Sequence, residues 1–226
     1  MTVALCFLGH GAWGLIGKAA WVPYFTAAGV SESAAWTLMP LIGVHDFVLG
    51  LFAVARPHRG LLGWMTAWCV WTACLRPMAG ESGFEFFERA GNFGPPLALV
   101  LMLPSRSRWL EPVLRGSLAM LLLGHAGLAF PVGKPLLLAH WHALGVTSPG
   151  VLGVQAAIEL VLATLVLAWR SSPVPLVATL CWKLFTESLH VVVGPPVNVF
   201  EFIERAGDFG LPVALLLFER QRDRQA

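Results

Sequence analysis

Charge is scarce in this chain. Only 12% of its 226 residues are Asp, Glu, Lys or Arg, whereas 57% are hydrophobic and the mean hydropathy is +0.71. A soluble globular domain carries about 25% charged residues. The deficit excludes an ordinary water-soluble globule and selects a membrane protein. A net charge of only +2 supplies no basic surface for nucleic acid. Cysteine usage excludes more. Cys6, Cys69, Cys74 and Cys181 all fall inside apolar runs and show no CxxC spacing. They make neither a disulfide framework nor a zinc motif, and they read as small buried hydrophobes. Haem, flavin and iron–sulfur motifs are missing too, so the residues name no cofactor and no metal. Nor is any connection between the apolar runs long enough for a folded domain outside the bilayer.

What the chain does have is apolar runs approaching the roughly 20 residues of a membrane span. Eight are read, over 2–17, 34–55, 60–78, 84–103, 109–130, 150–168, 174–193 and 198–218. The first has no basic residue ahead of it, so it reads as a spanning helix and not a cleaved signal peptide. Arginine marks alternate connections: Arg56 and Arg59, then Arg106, Arg108 and Arg115, then Arg170, then Arg220, Arg222 and Arg224. By the positive-inside rule these lie in the cytoplasm, with both termini, and the expectation is a multi-pass protein of the cytoplasmic (inner) membrane.

A long element occurs twice. Residues 84–96 read FEFFERAGNFGPP and residues 200–212 read FEFIERAGDFGLP, identical at 10 of 13 positions. Such self-similarity is settled before any fold assignment. The N-terminal parts also align, matching His10 with His125 and Lys18 with Lys134. Asp46 then falls opposite Glu159, Trp68, Thr72 and Leu75 opposite Trp182, Thr186 and Leu189, and Arg76 opposite His190. The expected fold is therefore an all-α membrane protein, eight transmembrane helices as two tandem four-helix bundles. Residues 1–105 form the first repeat, and 106–226 the second with a short basic tail. Four spans per repeat is an even number, so the halves insert in the same orientation and are related by an axis along the membrane normal, the parallel kind of repeat.

Polar residues at membrane depth are the candidate sites, because ionisable groups there normally face a bundle interior in pairs. His10 and Asp46 lie at similar depth, as do His125 and Glu159. A histidine–carboxylate pair is expected between the first two spans of each half. Such a pair either locks two helices together or holds a transferable proton; ligation of a metal or a haem by His10 and His125 is the third option. In the repeated element, Glu85, Glu88, Arg89 and Asn92 follow i, i+3, i+4, i+7 spacing, as do Glu201, Glu204, Arg205 and Asp208. On one continuous helix they line one face, with Glu88–Arg89 or Glu85–Arg89 pairing inside each half. They form either a charged cap at the outer leaflet or a polar cavity. Lys183, Glu187 and His190 add a second set whose counterparts Cys69, Ala73 and Arg76 are mostly uncharged, so the second half has diverged; self-pairing of Lys183 with Glu187 explains it most simply. Residues 18–32 and 134–148, marked by Gly and Pro, read as interfacial or re-entrant segments. Trp21, Tyr24, Trp141 and His142 anchor them, and His140 and His142 have an interfacial role there.

Gly9-His10-Gly11, Gly17-Lys18 and Asp46, with Gly124-His125, Gly133-Lys134 and Glu159, resemble the four-helix unit of the DoxX/DoxD-like membrane family, here occurring twice. The resemblance implies an up-down helix bundle, and for some members a membrane subunit of a quinone-linked oxidoreductase. On that reading the cofactor is a quinone and the partners are the lipid bilayer and a membrane or periplasmic redox protein. Two alternatives stand beside it: a small-molecule or ion carrier with its site at the repeat interface, and a non-catalytic scaffold or assembly factor. The 10 tryptophans serve either as interfacial anchors or as walls of a lipophilic pocket.

Overall fold

The computed structural model of the protein describes residues 1–103 and 107–224, and all regular structure among them is helical. Arg106, one of the arginines assigned to the cytoplasm, lies outside the described residues. In chain order the helices are α1 (Thr2–Ile16), α2 (Val22–Ala27), α3 (Glu32–Ala55), α4 (Arg59–Met78), α5 (Phe84–Glu88) and α6 (Ala90–Met102). They continue with α7 (Leu110–Ala129), α8 (Pro135–Ala143), α9 (Val151–Ala168), α10 (Val174–Val193), α11 (Val199–Glu204) and α12 (Ala206–Asp223).

Among the described residues, four helices are long and apolar enough to cross a membrane: α3, α7, α9 and α10. The other four expected spans look different, for identifiable reasons. The 15 residues of α1 reach about 22 Å, short of the ~30 Å hydrocarbon core. The helix then stops at Gly17, whose φ of 85° is left-handed, and the chain turns by 101° into the segment ending in α2. Counted as one span with that segment, α1 brings the number to five. Helix α4 has 20 residues but takes much of its apolar character from tryptophan, with Arg59 and Arg76 near its ends. The stretches 84–103 and 198–218 are each broken, at Arg89 between α5 and α6 and at Arg205 between α11 and α12.

Small residues decide which helices meet. Helix α1 packs on α3, and α7 on α9. Across the halves, α1 meets α11 at Gly9, where an added Cβ would lie 2.3 Å from the backbone nitrogen of Glu204. Helix α7 meets α5 at Gly124 in the same way, 2.1 Å from the nitrogen of Glu88. Helices α6 and α12 cross where Gly91 faces Gly207; a Cβ on Gly207 would come within 1.6 Å of the Gly91 carbonyl oxygen. These are backbone-to-backbone approaches of the kind that hold membrane helices together without a hydrophobic driving force. Around them a continuous core gathers Phe7, Phe93, Leu118, Leu121, Leu122, Leu211 and Leu215.

Gly207→Val should therefore force α6 and α12 apart and destabilise the fold by about 1–3 kcal/mol, the usual cost of overpacking. Gly153→Ala, with nothing within 4 Å of the new Cβ, is the neutral control. Thermal unfolding in detergent reads the difference, and equal midpoints for the two variants would remove the crossing as a packing constraint.

Candidate functional site: a buried ion-pair network and an aromatic pocket

The breaks at Arg89 and Arg205 put charged side chains where the halves meet. Arg89 Nη1 donates to Glu204 Oε1 at 2.5 Å, and Arg205 Nη1 donates to Glu88 Oε1. Lys134 Nζ donates to Glu85 Oε1 at 2.6 Å, and Lys18 Nζ donates to Glu201 Oε1. All four contacts join one half to the other, and each has its counterpart with the halves exchanged. The expected pairing inside each half is present only as longer contacts. Arg89 Nε stays 3.9 Å from Glu88 Oε2, and Arg205 Nε stays 4.0 Å from Glu201 Oε2. The reason is the break itself. It divides the expected single stripe so that Glu85 and Glu88 sit on α5 and Asn92 on α6, and it turns each arginine toward the opposite half. Glu85, Glu88, Arg89, Glu204, Arg205 and Asp208 are all buried.

In the first half His10 Nδ1 lies 2.6 Å from Asp46 Oδ2, and Asp46 has no exposed surface. The hydrogen-bond chain fixes the proton positions. Trp64 Nε1–H can only donate, so His45 Nε2, at 3.1 Å, accepts; His45 Nδ1–H then donates to Asp46 Oδ1 at 3.0 Å. The remaining Asp46 oxygen accepts from His10 Nδ1–H, and among the described residues His10 Nε2 has no hydrogen-bond partner. The imidazole stacks on Trp21 with centroids 4.3 Å apart. It forms part of the wall of a cavity of about 220 Å³, whose apolar sides include Trp68, Trp71, Phe25 and Leu75. The polar end is made by His10, Arg76, Arg89 and Asn92. Buried Arg89 Nε has no hydrogen-bond partner among the described residues. Helix α2 roofs the cavity. Tyr24 is tied there by its hydroxyl, which donates to Glu81 at 2.6 Å and accepts from Arg76 Nη1 at 3.1 Å.

The second half is filled differently. His125 Nδ1 stands 3.9 Å from Glu159 Oε1, and its close partner is Lys183, whose Nζ is 3.0 Å from Nδ1. Lys183 pairs with Glu187 at 2.6 Å and lies 3.6 Å from Asp208. Glu159 instead accepts from Trp182 Nε1 at 3.1 Å. Glu187 is also within 3.5 Å of Arg205 and 3.7 Å of His190. His125, Glu187 and Asp208 bring ligand-type atoms within 4.8 Å of one another, but the Lys183 ammonium already stands among them. Lys183 Nζ also lies 3.4 Å from His125 Nε2, so the ammonium stands close to both ring nitrogens. His140 meets His190 edge to face at 4.7 Å between centroids, and burial holds His140, on the short α8, below the ordinary imidazole range.

Several participants carry sequence signals that were not used. Gln155, which accepts from Trp141 Nε1 at 2.8 Å, lies one helical turn before Glu159. His45 adjoins Asp46, and its role shows only through Trp64 on the next helix. Arg115, assigned to the cytoplasmic surface, is buried. Its Nε donates to Glu111 at 2.9 Å and its Nη1 to the Val166 carbonyl at 2.5 Å, while Nη2 donates to Glu219. The i, i+4 spacing of Glu111 and Arg115 was the available clue.

No family model, curated protein or solved structure matches the chain.

Removing one partner of a buried ion pair leaves an uncompensated charge, at about 3–5 kcal/mol, whereas replacing both by apolar groups is often neutral. Arg89→Met alone should thus destabilise the protein by that order, and Arg89→Met with Glu204→Leu should recover most of the loss. A double-mutant cycle on unfolding in detergent checks this; additive effects would show that the two residues do not act as a pair.

Proposed function

We propose that the chain is a DoxX-like integral membrane protein acting as the membrane subunit of a quinone-linked redox system. On this reading it has eight membrane-crossing segments in two tandem four-helix units of the same orientation. It sits in the cytoplasmic membrane with both termini inside. The four long apolar helices support the membrane assignment. The duplicated element and the ion pairs that cross between residues 84–89 and 201–205 support the two-unit reading.

The observation that carries the functional part is the aromatic cavity with the His10–Asp46 pair at its wall. At about 220 Å³ it is smaller than the ~300–1,000 Å³ of pockets for drug-sized ligands, and it suits one ring-sized headgroup. Tryptophan and phenylalanine offer flat apolar walls, and Arg89 Nε–H, 3.9 Å from Glu88 Oε2 and without a hydrogen bond among the described residues, can donate to an acceptor such as a ring carbonyl. Reduction of a quinone to a quinol takes up two electrons and two protons. The electrons come from a membrane or periplasmic redox partner. Both protons come from water, and His10 relays them one at a time through Nε2 while Asp46 holds its Nδ1; Arg89 with Asn92 orients the head.

A scaffold would need none of this pocket. The carrier reading places its site between the halves, where the Gly91–Gly207 contact and the crossing ion pairs close the centre; the cavity of about 290 Å³ that does lie between the halves, beside Leu99 and Leu211, is lined by no charged side chain that could coordinate an ion.

Protein purified from its native membrane should carry a lipophilic quinone, identified by mass spectrometry of the organic extract. Thr72→Trp, which fills the cavity, should abolish it. Asp46→Ala strands two half-buried histidine donors, His10 and His45, and should cost about 1–3 kcal/mol of stability. If it also lowers quinone occupancy in the folded fraction, the pair serves the ligand; lowered stability with unchanged occupancy would make it a helix lock only. Absence of quinone from the native protein, with no binding on addition, would sink the redox reading.

A further inference from the structure

We propose that the cavity between the two halves holds one acyl chain of an anionic phospholipid, whose headgroup rests on the arginines at the end of α12. The proposal rests on the membrane reading and its orientation, and not on the quinone reading. This cavity measures about 290 Å³ and lies between α1, α6, α7 and α12. Val3, Ala98, Leu99, Leu114, Leu211 and Leu217 line it, so both halves contribute. An engineered apolar cavity of about 150 Å³ stays dry and takes up benzene. What enters the larger one here is hydrocarbon and not water.

Its length and walls select the kind of hydrocarbon. The lining runs along α12 from Gly210 to Gln221, about 16 Å of helix. The Gly91–Gly207 crossing lies one turn before Gly210, and Gln221 at the other end is exposed. The walls are aliphatic apart from Thr2, Phe218 and Gln221. A ring headgroup would find here neither the tryptophan walls nor the imidazole and guanidinium of the first cavity, whereas an acyl chain needs only apolar length. Charge at the exposed end names the lipid. Residues 210, 214, 217, 221 and 224 succeed one another at helical spacing, which brings Arg224 to the end of the cavity face. Arg220 lies on the neighbouring turn, and Arg108 stands two residues before Leu110, which lines the cavity. All three arginines are exposed. Residues 219–224 read Glu-Arg-Gln-Arg-Asp-Arg, and Glu219 is taken up by Arg115, so arginine outnumbers the remaining acid. By the positive-inside rule this end faces the cytoplasm, where anionic lipids attract arginine beside a span. Arg89 and Glu204, with Arg205 and Glu88, fasten the halves on the other side of the glycine crossing, so the chain fills the interface where that fastening does not reach.

The test uses full-length protein in nanodiscs of equal parts phosphatidylglycerol and phosphatidylcholine with added ubiquinone. The discs are released into mild detergent, and native mass spectrometry counts and identifies what each chain retains. Wild type should keep one phosphatidylglycerol. Ala214→Trp and Ala98→Phe, which fill the cavity from α12 and from α6, should keep none, while Thr72→Trp should keep it as wild type does. Each arginine beside an anionic surface is worth about fivefold in binding, so Arg220→Gln with Arg224→Gln should cut selectivity over phosphatidylcholine by about 25-fold. Filled variants that fold and still keep the lipid place it elsewhere and overturn the proposal. A quinone lost from Ala214→Trp but not from Thr72→Trp overturns it in favour of a second quinone site. Wild type that keeps no lipid, or keeps both lipids equally, overturns it even where the filled variants do not fold. A chain that does not enter the discs at all overturns the membrane reading, and the proposal with it.

Discussion

The structure depends on the cost of placing charge in an apolar interior. Each ion there loses several kcal/mol of hydration, recovered only when a partner stands in hydrogen-bonding reach. This chain buries Glu85, Glu88, Arg89, Glu204 and Arg205 together. It satisfies them by exchange: the arginine of one half answers the glutamate of the other. Once that exchange is fixed, much else is constrained. The helices carrying the pairs must break at the arginines, the backbones must approach to atomic contact, and α1 and α7 must present glycine to the broken helices. Lys18 and Lys134 repeat the arrangement one layer out.

A fastening made in the centre leaves the periphery of each half free to differ. In the first half that freedom becomes space, with aromatic walls and one histidine held by a carboxylate. In the second it becomes more charge, closed upon itself through Lys183, Glu187, Asp208 and Arg205. Arg115 shows the same economy at the other end of the bundle. A single guanidinium there joins α7 to the α9 backbone and to Glu219 on α12.

Helical class and membrane character were legible from composition, because scarce charge and recurrent apolar runs follow directly from the solvent the chain must meet. The buried polar residues were legible as well, since glutamate and arginine inside an apolar stretch stand out one by one. Pairing was not. Helical spacing suggests Glu85 or Glu88 with Arg89, and nothing local reveals that the helix stops at Arg89 and sends the side chain to Glu204. For the same reason 84–103 and 198–218 look like uninterrupted spans in the sequence. The match of His125 to His10 suggested a carboxylate partner, and Glu159 does lie 3.9 Å away, but only the third dimension shows a lysine from α10 reaching closer. Cavity volume is a property of several helices at once, so about 220 Å³ in the first half against about 30 Å³ in the second is not written in any one residue.

The crossed pairs also bear on where such a chain comes from and how it is made. A half on its own would expose Glu85, Glu88 and Arg89 without a partner, and during synthesis it does so until Glu204 and Arg205 have been translated. Two identical unfused halves would cure one another by the same exchange, as self-complementary surfaces do in a twofold homodimer. Joining them in one polypeptide keeps the exchange and lifts the demand that both members be alike. From then on one copy can keep an aromatic cavity and the other a closed cluster of charge, a difference that no symmetric pair of identical chains can encode.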